Sequence, residues 1–330
     1  MKRIGSIAMA ILALVGAFFI LQQIRANGWK IPGLQLPGVA LSTTAPPPRG
    51  GDTIRIATWN IQVFGEAKLA DPAAMQTIVA VLKNFDLIAI QEIRAQSQDI
   101  LPQLIAQLNA DGQYQYDYCI GPRLGRTNSK EQYAFVFDMA SIEVDRPQLY
   151  TINDQDDLLH REPLVGWFRA RLAPEKQAQA FTFSMVNIHT DPDEVDLELN
   201  VLDDVFFAVR DDGRKEDDVI LLGDVNVSEK HLGELGKISG LTYVVANTPT
   251  NTRGDAQYDN IFFHSTATPE FTGRGGVLDF ARAYNLPIEK RDNTLAAVDV
   301  SDHLPVWAEF SVYEGGKPGR VAIRPEFRTK

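Results

Sequence analysis

The sequence predicts an α/β fold with helices outside two packed sheets, although a single doubly wound sheet would fit the same pattern. Two observations lead there. Short apolar or alternating runs of strand length recur between stretches whose apolar residues follow helical spacing. The 330 residues are 45% hydrophobic and 23% charged, the balance of a chain that can bury a core of its own. Packing must hold that core without covalent help, because Cys119 is the single cysteine and no intrachain disulfide can form. Cys119 itself reads as a small core residue.

The strand signals come in order at residues 53–58, 87–90, 134–137, 181–188, 219–222 and 304–312. Helix signals fall between them. Asp71 is placed to cap a helix with Pro72 at its first position, and Met75, Ile78, Val79 and Leu82 then recur on one face. Leu202, Val205, Phe206 and Val209 form a second stripe. Ser228 can cap a third helix, with Leu232 and Leu235 turned inward.

The ends differ from this body. After Lys2 and Arg3, residues 4–21 are apolar and uncharged, about 27 Å of helix and close to a bilayer's hydrocarbon thickness. Residues 1–25 are therefore expected to be a membrane anchor or signal segment, with the rest of the chain outside the cytoplasm, anchored or secreted. No small-residue cleavage site directly follows Leu21, which favours the anchor. Residues 26–52 hold Pro32, Pro37, Pro46, Pro47 and Pro48 and read as an extended linker. The folded body is expected over residues 53–312, and residues 313–330 read as a basic tail.

The net charge is −11, yet both ends are basic, so the body is more acidic than the whole. That argues against nucleic-acid binding through a broad basic footprint. It leaves room for an enzyme whose carboxylates gather a cation and let the cation meet a phosphate.

The chemistry collects where the apolar runs stop. Asn60, Glu92, His189, Asp224 and Asn226 each follow such a run; Asp259 and Asn260 precede residues 261–263, and Ser301, Asp302 and His303 precede residues 304–307. Singly, an Asp or Asn there is a turn former, a His is a satisfied structural residue, and a Glu is a surface ion-pair partner. Six such junctions in one chain are harder to read as separate accidents. Carboxylates suit Mg²⁺, Mn²⁺ or Ca²⁺, imidazoles transfer protons near neutral pH, and amides donate to phosphoryl oxygens. Together they suit hydrolysis of a phosphate ester.

The motifs Trp59-Asn60, Gln91-Glu92, Asn187-Ile188-His189, Gly223-Asp224-Val225-Asn226 and Ser301-Asp302-His303 resemble those of the endonuclease/exonuclease/phosphatase superfamily. Within it, residues 60–66, 124–126, 130–133, 161–163, 276–280 and 283–284 resemble the deoxyribonuclease I-like branch. The resemblance implies a four-layer α/β/β/α sandwich and a divalent-metal-dependent phosphodiesterase, a DNA endonuclease of low sequence specificity. It implies His189 and His303 as acid and base, oriented by Glu131 and Asp259. Glu92 and Asp302 would hold Mg²⁺ or Mn²⁺, with Ca²⁺ also possible; Asp224 and Asn226 would complete the site, and Asn60 would contact the phosphate. Arg94 and Arg161 would meet the DNA minor groove.

Ser129 departs from the tyrosine of that branch, and the branch's disulfides are missing, while its structural calcium sites have no clear match. His160, His231 and His264 match nothing in the motif set. Besides DNA and the membrane, no protein partner is implied. The alternative is a lipid or inositol phosphodiesterase of the same superfamily. An inactive binding scaffold is disfavoured because both histidines and every carboxylate of the motif set are present.

Overall fold

A computed structural model describes residues 40–42, 49–126, 130–286 and 297–317. The expected anchor, most of the linker, Ser129 and the tail beyond residue 317 lie outside the described residues. Among the described residues no helix is long and apolar enough to cross a membrane.

In chain order the strands are β1 (Ala40–Ser42), β2 (Thr53–Phe64), β3 (Leu87–Ile93), β4 (Tyr116–Ile120), β5 (Gln132–Asp138), β6 (Ile142–Val144) and β7 (Tyr150–Thr151). They continue with β8 (Leu164–Ala170), β9 (Thr182–His189), β10 (Val219–Asp224), β11 (Leu241–Tyr243), β12 (Asp259–His264), β13 (Phe271–Leu278) and β14 (Val306–Ser311). They form two mixed sheets, ordered β1-β13-β14-β2-β3-β5-β4 and β11-β12-β10-β9-β8-β6, with β7 paired to β8. The doubly wound alternative is therefore excluded.

The strand period of two explains how one strand serves two packing layers. On β10, Ile220 and Leu222 join the larger core, whereas Val219 and Leu221 join a second cluster under helix Leu202–Arg210. That helix presents the expected stripe of Leu202, Val205, Phe206 and Val209 to the same cluster. Helix Pro72–Leu82 starts as its sequence predicts: the Asp71 side chain accepts from Ala73 N and Ala74 N, and Pro72 occupies the first turn. Its Met75, Ile78 and Leu82 are buried in the larger core. Between the sheets, Gln91 Nε2 donates to Asn187 Oδ1 at 2.6 Å, and Asn187 Nδ2 donates to Ile90 O and Ala134 O at 3.2 Å each. This satisfied amide pair fixes β9 against β3 and β5 in an otherwise apolar layer.

The expected helix after Ser228 does not form. Its inward residues Leu232 and Leu235 are buried as foreseen, but the segment is turns followed by a 3-10 turn at Leu235–Lys237. Gly233 sits at φ 56°, a left-handed position that ends helical propagation.

Candidate active site

Register assembles the site. The parallel pair β2–β3 sets Asn60 opposite Gln91, so Asn60 and Glu92 leave the first sheet side by side. In the second sheet, β9–β10 sets His189 opposite Asp224, and β10–β12 sets Asp224 opposite Asp259. Close approach at Gly223 makes this row possible: a Cβ there would lie 1.9 Å from Ile188 O.

Asp224 is the hub. Its Oδ2 accepts from Asn60 Nδ2 at 3.1 Å and lies 3.7 Å from His189 Nε2 and 3.6 Å from His303 Nε2. Its Oδ1 accepts from Asn226 N at 3.0 Å, and Asn226 Nδ2 donates to Thr190 O at 2.8 Å. Asn226 therefore shapes the loop beneath Asp224, at φ 55°.

Each imidazole is held from behind by a buried carboxylate. His189 Nδ1 lies 2.7 Å from Glu131 Oε1, and His303 Nδ1 lies 2.9 Å from Asp259 Oδ2. Burial opposes the imidazolium of His189, but Glu131 and Asp224 outweigh it and raise the pKa. Burial likewise opposes a charged His303, and Asp259 with Asp224 again prevails in raising it. Burial would push Glu131 up, yet His189, Arg161 and Arg94 together hold it below the usual carboxyl value. Thr250 completes the second pair by donating to Asp259 Oδ2 at 2.7 Å.

Glu92 is strained into place. It sits at φ 61° where the ladder of β3 slips, between Ile90 and Ile93. Its Oε1 accepts from Asn60 Nδ2 at 3.1 Å and its Oε2 from Val63 N at 2.8 Å, with Arg94 Nη2 at 3.1 Å from Oε2. Lys68 donates to Ile61 O, Gln62 O and Val300 O at 2.5 to 2.7 Å, tying this loop to the segment before His303. Burial lowers the Lys68 pKa to about 8 although Asp302 and Glu92 both favour its charge. Asp302 is half-exposed, and its Oδ1 is buried without a hydrogen-bond partner among the described residues.

The structure thus brings together Asn60, Glu92, Glu131, His189, Asp224, Asn226, Asp259 and His303. Arg161 is not a surface arginine: it is 7% exposed, with Nε 3.4 Å from Glu131 Oε2 and Nη1 donating to His189 O at 3.3 Å. Its guanidinium therefore lies against the Glu131–His189 pair. Among the described residues the site holds one set of three close cation-binding groups, Asp224, Asp259 and His303, with ligand atoms within 4.8 Å of one another; Glu92 and Asp302 lie outside that set. Arg94 is 28% exposed and borders the site through Glu92 and Glu131. Lys68 and Thr250 were missed by sequence reasoning, since a lone Lys or Thr carries no motif; the spacing of Lys68 after residues 60–66 is its only trace.

Two buried imidazole–carboxylate pairs converge on one further carboxylate, an arrangement suited to hydrolysis of a phosphate ester. The profile of the endonuclease/exonuclease/phosphatase family matches residues 57–303, and the chain belongs to that family. It is 33% identical over 273 residues to deoxyribonuclease-1-like 1 of Sus scrofa, covering 79% of this chain and 82% of the relative. It is 32% identical over 276 residues to deoxyribonuclease gamma of Rattus norvegicus, covering 78% and 84%. Among solved structures it is similar to humanized D. rerio TDP2, with TM-score 0.53 and 14% identity, covering 79% of this chain and 100% of the other. The human Nocturnin catalytic domain with bound sulfate gives TM-score 0.51 and 16% identity, covering 79% and 94%. At those identities the structural likeness concerns the fold alone. Membership, with deoxyribonucleases as relatives, makes the chain a phosphodiesterase/nuclease enzyme of a kind that uses divalent metals.

Proposed function

We propose that this enzyme is a DNA endonuclease of low sequence specificity that works with Mg²⁺ or Mn²⁺. The observation that carries the reading is the convergence of His189 Nε2 and His303 Nε2 on Asp224, each ring backed at Nδ1 by a buried carboxylate. Both Nε2 atoms can serve one scissile phosphate. In the reaction, a water oxygen bonds to phosphorus and the bond from phosphorus to the leaving oxygen breaks. One imidazole takes the water proton at Nε2, and the other delivers its Nε2 proton to the leaving oxygen. Glu131 and Asp259 orient the rings and favour the protonated form of each.

The donor set fits a hard cation. Glu92 presents oxygens at the end of β3, and Asp302 Oδ1 is a buried oxygen without a donor. Glu92 and Asp302 would hold that ion beside Asp224, while Asn60 and Asn226 shape the phosphate site. When bound, the cation offsets charge growing on the phosphoryl oxygens. Arg94 is the arginine left to meet the DNA minor groove, and Arg161 acts as a positioning residue. The helix–sheet–sheet–helix layer order belongs to the same reading, with a body somewhat wider than the expected 53–312, since β1 pairs with β13 and Tyr313 is buried in the core. So does the location: the uncharged run at residues 4–21 supports an anchor or signal segment that places the body outside the cytoplasm. Recovery of the full chain from the cytosolic fraction would count against that location.

The test is cleavage of supercoiled plasmid, RNA, choline phospholipid vesicles and bis(p-nitrophenyl) phosphate, each with Mg²⁺, Mn²⁺, Ca²⁺ or excess chelator. Plasmid nicking that chelator abolishes and Mg²⁺ or Mn²⁺ restores is expected. Full activity in chelator would remove the metal role. Phospholipid hydrolysis without DNA cleavage would transfer the enzyme to the lipid branch.

A further inference from the structure

A second group of carboxylates lies at the other end of the body. Asp218 immediately precedes β10, and Asp224 ends it, so the two stand about 20 Å apart along the strand. Around Asp218 gather Glu270, before β13, and Glu314, after β14. The ligand oxygens of Asp218, Glu270 and Glu314 all lie within 4.8 Å of one another.

These groups are poorly neutralised. Asp218 is 1% exposed, and neither carboxylate oxygen has a hydrogen-bond donor among the described residues. Glu270 is equally buried; its Oε1 accepts from Gly315 N at 2.5 Å, but its Oε2 has no donor. Glu314 Oε2 has only Thr182 N, at 3.3 Å. Glu216 adds a further negative charge, though its oxygens are used by Asp218 N and Trp167 Nε1, both at 3.1 Å. No Lys or Arg forms an ion pair with any of these four among the described residues. A separate, uncharged group points the same way. The Thr268 hydroxyl is buried with no hydrogen bond of good geometry among the described residues, and it lies beside the Asp218 carboxylate, whose charged form it favours.

We propose that Asp218, Glu270 and Glu314, with Thr268 Oγ1, form a second divalent-cation site suited to Ca²⁺. Asp218 and Glu270 are buried with oxygens that lack donors, which is costly unless an opposite charge meets them, while Glu314 lies exposed at the edge of the cluster. Two oxygens that each lie about 2.4 Å from one Ca²⁺ can be at most about 4.8 Å apart. The three oxygens already meet that limit. Every donor is a hard oxygen, which disfavours zinc, and an irregular set of carboxylates and a hydroxyl suits Ca²⁺ better than the strict octahedron of Mg²⁺. The ion would clamp the start of β10, the turn before β13 and the segment after β14. Those segments are remote in sequence, so binding to the folded state stabilises it. The cluster contains none of the catalytic residues.

The test uses the full chain. Thermal midpoints are measured in EGTA, in Ca²⁺ and in Mg²⁺, and bound Ca²⁺ is counted by equilibrium dialysis, for the parent and for Glu314→Gln, Glu270→Gln and Glu92→Gln. The expected result is a Ca²⁺-dependent rise of about 3 °C or more in the parent and in Glu92→Gln. Glu314→Gln and Glu270→Gln should lose the rise and bind one Ca²⁺ fewer. In EGTA neither should melt below the parent, because each removes unneutralised negative charge. Equal stoichiometry and an equal rise in all four proteins would overturn the proposal. Loss of the rise in Glu92→Gln alone would overturn it too, by assigning the effect to the catalytic site. A Mg²⁺ response as large as that to Ca²⁺ would overturn the fit to Ca²⁺.

Discussion

An imidazole works as acid or base only when its ring cannot wander, and here the restraint comes from behind. With Nδ1 committed to Glu131 or Asp259, the Nε2 atoms of His189 and His303 face the hub carboxylate Asp224. His189→Ala and His303→Ala are each expected to lower turnover by roughly 10²-fold or more on plasmid and on bis(p-nitrophenyl) phosphate. A substitution that left the rate at the parent value would remove that histidine from the chemistry. Arg161 is a separate case. Because its guanidinium touches Glu131 and the His189 carbonyl, Arg161→Ala should slow both substrates to a similar degree, by about 10-fold. Arg94, at the rim, should show its loss mainly on DNA. A loss confined to DNA for Arg161→Ala would return it to the groove role that sequence resemblance implies.

At the scale of elements, the site depends on how closely β9 and β10 approach. Gly223→Ala would drive a methyl into Ile188 O, 1.9 Å away, and must pry the two strands apart. The expected cost is about 3 kcal/mol or more, read as a lower urea midpoint, with activity lost as Asp224 parts from His189. An unchanged midpoint would mean that the strands carry no such constraint. This strand pair also shows what a sequence can disclose. The apolar runs that became β9 and β10, and the polar residues ending them, were visible because burial on both faces leaves a continuous hydrophobic signature. Register was not visible, since pairing His189 with Asp224 and Asp224 with Asp259 is a property of partners distant in the chain. The segment after Ser228 misled for a local reason: Leu232 and Leu235 do face inward, but Gly233 turns the chain out of a helix between them. The burial of Arg161 was not legible either, because only the fold places it beside the buried Glu131.

Over the whole molecule, acidic groups cluster at the two ends of one strand, β10, and their burial shapes how stability responds to pH. Burial, with repulsion from Glu270, pushes Asp218 up to about 9, and burial pushes Glu314 up to about 7. The unfolded chain would lose these protons near pH 4, so between about pH 4 and pH 9 the folded state binds more protons than the unfolded one. Stability in that window falls as pH rises. His189 and His303 act in the same sense. Their raised values favour the fold below about pH 6.5, and that contribution is lost as pH climbs through the folded-state values. Glu131, held low, works the other way, but only in acid below its ordinary value near 4.5. In chelator, the thermal midpoint should therefore be higher at pH 5.5 than at pH 9. A scan of midpoints across that range decides the matter, and a midpoint that climbs toward pH 9 would contradict the raised carboxyl values. Glu314→Gln should flatten the decline between about pH 5 and pH 7, where the Glu314 proton is otherwise lost. A slope unchanged by that substitution would assign the decline in that window to Asp218 and Asp259, whose raised values act in the same sense there.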